Sequence, residues 1–148
     1  MDRFSQILYQ VVFGPRRREP IMTTPNREIF HKYLATVLRN KKCFVYAING
    51  TADHVHIVFS LHPTVSLSDL IKDIKLSASS FIRTKKLFPM FDGWQEGYGA
   101  FTYTYSAKEN LINYVSNQQE HHTKISYYEE LKNLLIDNEI DFDDRYLI

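Results

Sequence analysis

The pattern of residues 53–59, Asp-His-Val-His-Ile-Val-Phe, constrains the fold more than any other stretch of the chain. Successive side chains of a strand point to opposite faces of its sheet, so His54 and His56 share one face. Val55, Ile57 and Phe59 share the other face and indicate a strand packed on a core. Two imidazoles at this spacing can ligate one metal ion. A polar sheet face with two ordinary histidines explains the spacing equally well.

Length and composition predict one domain over residues 1–148 in a reducing, cytoplasmic setting. The chain has 148 residues, of which 44% are hydrophobic, enough for one core. No stretch approaches the roughly 18 apolar residues of a membrane span, so we expect no membrane contact. The first residues do not resemble a signal peptide. Cys43 is the only cysteine, which excludes an internal disulfide and a thiolate zinc cluster within one chain.

The charges are divided unevenly along the chain. Residues 1–90 hold 14 of the 18 Lys and Arg and 6 of the 17 Asp and Glu, a net charge of +8. Residues 91–148 hold the remainder, a net charge of −7. This asymmetry predicts that the first part meets a polyanion such as nucleic acid, unless both surfaces are simply solvated.

Hydrophobic periodicity predicts alternating strands and helices. Besides the histidine strand, three stretches are typical of strands: residues 7–13, 43–48 and 101–105. Asn49-Gly50 predicts a turn, in a loop that runs to Asp53 before the histidine strand. The first helix is predicted from Thr24-Pro25 to about residue 42, and the second from Ser66–Asp69 to past residue 83. The third is predicted from Ser106–Glu109 to about residue 122, and a last helix covers residues 127–138. This order predicts an α+β sandwich of ferredoxin-like type, a central antiparallel sheet with helices packed on it.

Two basic groups are candidates for binding DNA. Arg16, Arg17 and Arg18 follow Gly14-Pro15 in a predicted loop. A second group recurs every three or four residues along one helix face: Lys72, Lys75, Ser79 and Arg83. Such a row can follow a phosphate backbone, or it can be an ordinary solvated helix face.

These motifs resemble those of the single-tyrosine HUH transposases of small insertion sequences, including the REP-associated tyrosine transposases. His54-Val55-His56 resembles their histidine–hydrophobe–histidine motif. Residues 114–118, followed by His121-His122, resemble the helix that bears their nucleophilic tyrosine. Residues 94–101, 129–131 and 140–146 are also similar to that family, so the resemblance covers nearly the whole chain in the right order.

The resemblance implies a ferredoxin-like HUH fold, a homodimer, and single-stranded DNA hairpins as the substrate. It implies Mg or Mn bound by His54, His56 and Gln118, with His121 as an alternative third ligand and His122 also open. It further implies that Tyr114 attacks a DNA phosphate, leaving a 5′-phosphotyrosine and a free 3′-hydroxyl. Whether Tyr114 serves the site of its own chain or that of a partner subunit is left open.

Two other functions fit the same residues. A non-catalytic regulator on this fold would bind single-stranded DNA hairpins without forming a covalent adduct. A zinc hydrolase would use His54, His56 and a third histidine such as His121, with water as the nucleophile. Metal analysis combined with a test for protein–DNA adducts separates these functions from the transposase.

Overall fold

The computed structural model describes residues 4–147. It contains four strands and five α-helices in this order: β1 Leu8–Phe13, α1 Asn26–Asn40, β2 Phe44–Thr51, β3 His54–Ser60, α2 Leu67–Lys85, β4 Gly99–Tyr103, α3 Lys108–Ser116, α4 Gln118–His121 and α5 Tyr127–Asp137. Short 3₁₀ turns lie at Arg16–Arg18, Tyr105–Ala107 and Asp144–Tyr146. Among the described residues, no helix combines the length and apolarity needed to cross a bilayer.

The four strands form one antiparallel sheet in the order β2-β3-β1-β4. β3 is therefore central, paired with β1 on one side and with β2 on the other. This strand order, with helices after β1 and β3, is the ferredoxin-like arrangement. The predicted fold class is confirmed.

The two faces of β3 meet different surroundings. Val55, Ile57 and Phe59 are fully buried in the main core, against Phe30 and Leu34 of α1 and Ile71 and Ile74 of α2. Burial of each such side chain contributes about 1.5–3 kcal/mol. His54 and His56 point to the opposite face, as the alternation predicts, and both are 0% exposed. The helices after β4 cover this second face, so the histidines lie inside the protein.

The turn predicted at Asn49-Gly50 is wrong, because both residues lie within β2. The chain turns at residues 52–53 instead. The Asn49 amide donates to the Ser116 carbonyl at 3.1 Å, which ties the end of β2 to the helices. A Cβ atom on Gly50 would lie 2.2 Å from the His54 carbonyl oxygen, so the glycine is needed for close strand approach.

The three helices begin within two residues of the predicted starts, but only one of the three predicted side-chain caps forms. Ser66 caps α2, its hydroxyl accepting from the Asp69 amide. The α1 helix begins at Asn26 without a side-chain cap, so Thr24 is not its cap. The Ser106 hydroxyl contacts Thr104 rather than an amide of α3, which begins at Lys108.

The helix predicted to run to about residue 122 is divided at Asn117. The backbone of Asn117 leaves helical geometry at φ −102° and ψ 23°, which separates α3 from α4. Asn is a weak former of helix interiors because its side chain competes for backbone hydrogen bonds. The break sets α4 and the residues after it on a new course over the histidine face.

Candidate metal centre

The Nδ1 atoms of both histidines of β3 are fixed by side chains outside that strand. His54 Nδ1 lies 2.7 Å from a carboxylate oxygen of Asp53. Because that carboxylate only accepts, it holds a proton on His54 Nδ1, so Nε2 is the ring atom left to bind a metal ion. His56 Nδ1 lies 2.7 Å from Oε1 of Gln10, whose amide nitrogen donates to the Tyr103 hydroxyl. Both imidazoles therefore aim Nε2 away from the sheet.

A glutamate from α5 meets these two Nε2 atoms. Ser126 caps α5 by accepting from the Glu129 amide, and Glu130 follows in the first turn. Glu130 is 2% exposed. Its Oε1 lies 2.7 Å from His56 Nε2 and 3.4 Å from His54 Nε2. The first turn of α5 thus places a buried carboxylate over the histidine pair.

His122 completes the cluster from the segment after α4. Its Nδ1 donates to the Ile125 carbonyl at 2.8 Å, so its Nε2 also presents a lone pair. This Nε2 is buried and, among residues 4–147, makes no hydrogen bond, although it lies 3.1 Å from Glu130 Oε1. Three imidazole nitrogens and one carboxylate oxygen, from His54, His56, His122 and Glu130, lie within 4.8 Å of one another.

This donor set fits a divalent cation. Nε2 of His54 and Nε2 of His122 both face Oε1 of Glu130, and a carboxylate oxygen can only accept hydrogen bonds. A proton or a metal ion is therefore required between these atoms. Imidazole and carboxylate are ordinary ligands of divalent transition metals. The Nδ1 atoms are already fixed by Asp53, Gln10 and Ile125, the outer support typical of metal-binding histidines. The His–Glu cluster is therefore a candidate metal centre.

Gln118 and His121, both predicted as third-ligand candidates, lie at different distances from the centre. Gln118 is fully buried, with Oε1 2.9 Å from His54 Nε2 and its amide nitrogen donating to Glu130 Oε2 at 3.0 Å. His121 Nε2 lies 3.3 Å from Glu130 Oε2, on the far side of the carboxylate from the three clustered imidazoles. Gln118 thus borders the cluster, whereas His121 lies outside it.

Tyr114 reaches the other oxygen of the same carboxylate. It is half-buried on α3, and its hydroxyl donates a hydrogen bond to Glu130 Oε2. His121 Nε2 lies 3.4 Å from that hydroxyl. The Tyr114 ring is nearly perpendicular to the His56 ring, with their centroids 6.0 Å apart. Oε1 of Glu130 therefore faces the histidines, and Oε2 faces the tyrosine.

Burial and hydrogen bonding set the protonation of this site. Burial lowers the pKa of His56 to about 4, so its imidazole is neutral near pH 7. Burial alone raises the pKa of Glu130, but the close imidazoles of His122 and His56 outweigh it and hold that pKa well below its usual range. Burial and the neighbouring Glu130 raise the pKa of Tyr114 above its usual range. Without a cation, the tyrosine is a neutral phenol beside an ionised carboxylate.

The three loop arginines lie in the turn after β1 and differ in their contacts. The Arg18 guanidinium lies 5.8 Å from the Tyr127 ring, which itself stacks on His54 at a centroid distance of 4.3 Å. Arg17 is paired with Asp92 at 2.7 Å and with Glu19 at 3.0 Å. Arg16 packs against Gly93, where an added Cβ would lie 3.0 Å from its guanidinium. Arg18 is thus the member of the group that adjoins the site.

The predicted row on α2 lies on the helix layer that packs against the other face of the sheet. Lys75 donates to the carbonyls of Gln95 and Gly97, and Arg83 lies 5.5 Å from the Phe91 ring. Lys72 is exposed and Ser79 is partly buried. The structure does not bring these residues together with the His–Glu cluster.

Sequence reasoning did not assign Glu130, yet a signal for it exists. Tyr127, Leu131 and Leu134 surround it at i−3, i+1 and i+4, and they contribute to a second core. An acid on the apolar stripe of an amphipathic helix is expected to be buried with a partner. That pattern, combined with three histidines left without a carboxylate, could have identified the residue.

The fold and the site together define a ferredoxin-like α+β protein with a buried His–Glu cluster beside a tyrosine. The sequence model described as "Transposase IS200 like" matches residues 3–118, so the chain belongs to the IS200-like transposase family. The match ends at Gln118, and Glu130 lies beyond it. No curated protein matches the chain significantly.

Two solved structures share the fold. One is a protein from Deinococcus radiodurans R1 whose assignment as a transposase is provisional, with 18% identity, a TM-score of 0.60, and coverage of 80% of this chain and 95% of that chain. The other is a REP-associated tyrosine transposase solved bound to a REP hairpin, with 15% identity, a TM-score of 0.59, and coverage of 84% and 76%. Both likenesses are at the level of the fold.

Proposed function

We propose that this protein is a metal-dependent transposase that nicks and rejoins single-stranded DNA, with Tyr114 as the nucleophile. The observation that carries the proposal is the double contact of Glu130. Its Oε2 accepts from Tyr114, while its Oε1 lies 2.7 Å from His56 Nε2. Membership of a transposase family supports DNA as the substrate.

His54, His56 and Glu130 are the residues proposed to hold the cation, with His122 and Gln118 at its border. A bound cation would withdraw charge from the scissile phosphate and stabilise the charge that develops during attack. The imidazoles of His54 and His56 are softer ligands than Mg²⁺ prefers, so we expect Mn²⁺ to support the reaction at least as well as Mg²⁺.

Tyr114 needs a base, because an unperturbed phenol has a pKa near 10 and burial raises it further here. Glu130 Oε2 is already placed to accept the phenolic proton. As the Tyr114 oxygen bonds to phosphorus, the bond from phosphorus to the 3′-oxygen breaks, and that oxygen takes a proton from solvent. The product is a 5′-phosphotyrosine and a free 3′-hydroxyl, and a 3′-hydroxyl of a second strand can reverse the step without ATP.

Tyr114 and the cluster belong to one chain, so we propose that each site acts in cis and that a homodimer would carry two complete sites. The REP-associated neighbour was solved with a hairpin, which supports a hairpin-forming single strand as the substrate here. Arg18 would supply positive charge at the edge of the site.

The test uses single-stranded hairpins from the DNA that flanks the gene, labelled at the 3′ end, with Mn²⁺ or Mg²⁺. We expect the label to become covalently attached to the protein. Tyr114→Phe should bind the hairpin but form no adduct, because it loses only the attacking oxygen. Tyr105→Phe is the matched control, since its ring is exposed and its hydroxyl accepts a hydrogen bond from Lys108 rather than contacting Glu130.

Three outcomes would contradict the proposal. Hairpin binding without an adduct in the unmodified protein indicates the non-catalytic regulator. Cleavage without an adduct indicates a hydrolase with water as the nucleophile. An adduct in Tyr114→Phe shows that another tyrosine attacks.

A further inference from the structure

Tyr114 forms part of the wall of three cavities on the outer side of the site. Their volumes are about 260, 370 and 220 Å³. A strand whose phosphate reaches Tyr114 must place the nucleotides on either side of that phosphate against these walls. The side chains that line the cavities therefore meet the nucleotides that adjoin the cleaved bond.

Amides are the most frequent polar side chains of these walls. The chain has eight asparagines, and four of them line the three cavities: Asn110, Asn113, Asn117 and Asn133. All four are exposed, and within residues 4–147 their side-chain amides make no hydrogen bond. An amide offers one acceptor and two donors, which is the combination that reads the edge of a nucleobase.

The charges of the same walls disfavour phosphate contacts. Glu120, Glu130 and Asp137 line the cavities and carry negative charge, whereas Lys124 is the one Lys or Arg among the described lining residues. Phosphates are usually bound by several Lys or Arg. The surface around Tyr114 therefore suits bases better than the DNA backbone.

The cavity between Tyr114 and α5 has the lining expected of a base pocket. Ile125 and Leu134 provide apolar walls, and the polar groups come from His121, Glu130, Asn133 and Asp137. Its volume is about 220 Å³. Since a cavity of about 150 Å³ accommodates benzene, there is room for one nucleobase.

We propose that this pocket binds the nucleobase next to the scissile phosphate and favours bases with an exocyclic amino group over thymine. The Asp137 carboxylate can only accept hydrogen bonds. Adenine, cytosine and guanine offer it an amino group, whereas thymine offers one ring N–H between two carbonyl oxygens that repel the carboxylate. Asn133 can pair with the donor and acceptor of the same edge. This inference rests on the proposed function, and it adds a preference of the nicking reaction for the base beside the cleaved bond.

The experiment compares nicking of hairpin substrates that carry each of the four bases at each position flanking the cleaved bond. In the unmodified protein we expect thymine to be disfavoured about 10-fold at one of these positions. Asp137→Asn turns the acceptor into an amide and should bring the ratio of nicking rates, other bases over thymine, to near one. Asn133→Ala should weaken the preference among the other three bases. Glu139→Gln removes the same charge outside the cavity and should leave every ratio unchanged.

The possible failures are distinguishable. Absence of any Tyr114-dependent adduct contradicts the proposed function, and this inference with it. Nicking without a base preference, or with ratios unaltered by both cavity variants, contradicts the inference alone. Thermal unfolding checks that the variants fold, and either cavity variant decides the question if the other fails to fold.

Discussion

Glu130 connects Tyr114 to His56 through its two oxygens. Oε2 accepts a hydrogen bond from the Tyr114 hydroxyl, and Oε1 lies 2.7 Å from His56 Nε2. The carboxylate is 2% exposed, so it is shielded from water on both sides. One side chain can thus contribute to the metal centre and accept the proton of the nucleophile, which makes Glu130 the most informative residue to change.

Glu130→Gln should impair both roles while conserving size. The amide carries no negative charge and is a poor proton acceptor, so we expect Mn²⁺ affinity to fall about 10- to 100-fold. We expect adduct formation to fall at least about 100-fold. Isothermal titration with Mn²⁺ and adduct formation on a labelled hairpin measure the two effects.

Glu129→Gln is the matched control for this change. Glu129 precedes Glu130 on α5 but is exposed, and its backbone amide already donates to Ser126. We expect its metal affinity and adduct yield to match those of the unmodified protein. A normal adduct yield in Glu130→Gln would show that Glu130 has no role in the reaction.

Mixed variants test whether each site is complete within one chain. His56→Ala and Tyr114→Phe are each expected to be inactive, the first in the metal centre and the second in the nucleophile. If Tyr114 serves its own chain, each chain of a mixed dimer lacks one group, and the mixture stays inactive. Adduct formation restored on mixing would show that Tyr114 reaches the histidines of the partner subunit.

The parts of the site that sequence could predict are local. Alternation along residues 54–59 follows from strand geometry alone, so the shared face of His54 and His56 was predictable. The ferredoxin-like order followed from periodicity in the same way. Each of these features depends on neighbouring residues rather than on distant packing.

The parts that could not be predicted depend on distant contacts. Asn49-Gly50 has turn chemistry, but both residues pair with β3, and the Asn49 side chain also contacts Ser116, 67 residues away. Glu130 joins the site only because the break at Asn117 and the Ser126 cap direct α5 across the histidine face. Local propensity carries no information on where that helix packs.

The salt dependence of DNA binding tests the row on α2. Lys72 and Arg83 are exposed, whereas the Lys75 amine already donates to two carbonyls. If the row contacts phosphates, Lys72→Ala combined with Arg83→Ala should reduce the slope of log affinity against log salt by about 1.4, roughly 0.7 for each lost contact. Fluorescence anisotropy with a labelled hairpin at several salt concentrations measures the slope. An unchanged slope would show that this helix face is only solvated.

The stability of the fold should fall with acid because of His31 on α1. Its Nε2 is buried without a hydrogen-bond partner, and burial, aided by the charge of Arg27, lowers its pKa to about 4. The unfolded chain, with a pKa near 6.5, therefore takes up the proton first as the pH falls, so stability is lost between about pH 6.5 and pH 4. At about pH 5 the expected loss from this residue is about 2 kcal/mol.

His31→Gln removes the titrating group and should reduce the loss of unfolding free energy between about pH 7.5 and pH 5 by about 2 kcal/mol. His56, with its pKa also lowered to about 4 by burial, contributes a parallel loss that persists in the variant. His62→Gln is the control, because His62 lies after β3 and its imidazole hydrogen-bonds to Thr64 at the surface. Urea unfolding at the two pH values measures the difference. Equal losses in the unmodified protein and in His31→Gln would show that His31 is protonated alike in the folded and unfolded states.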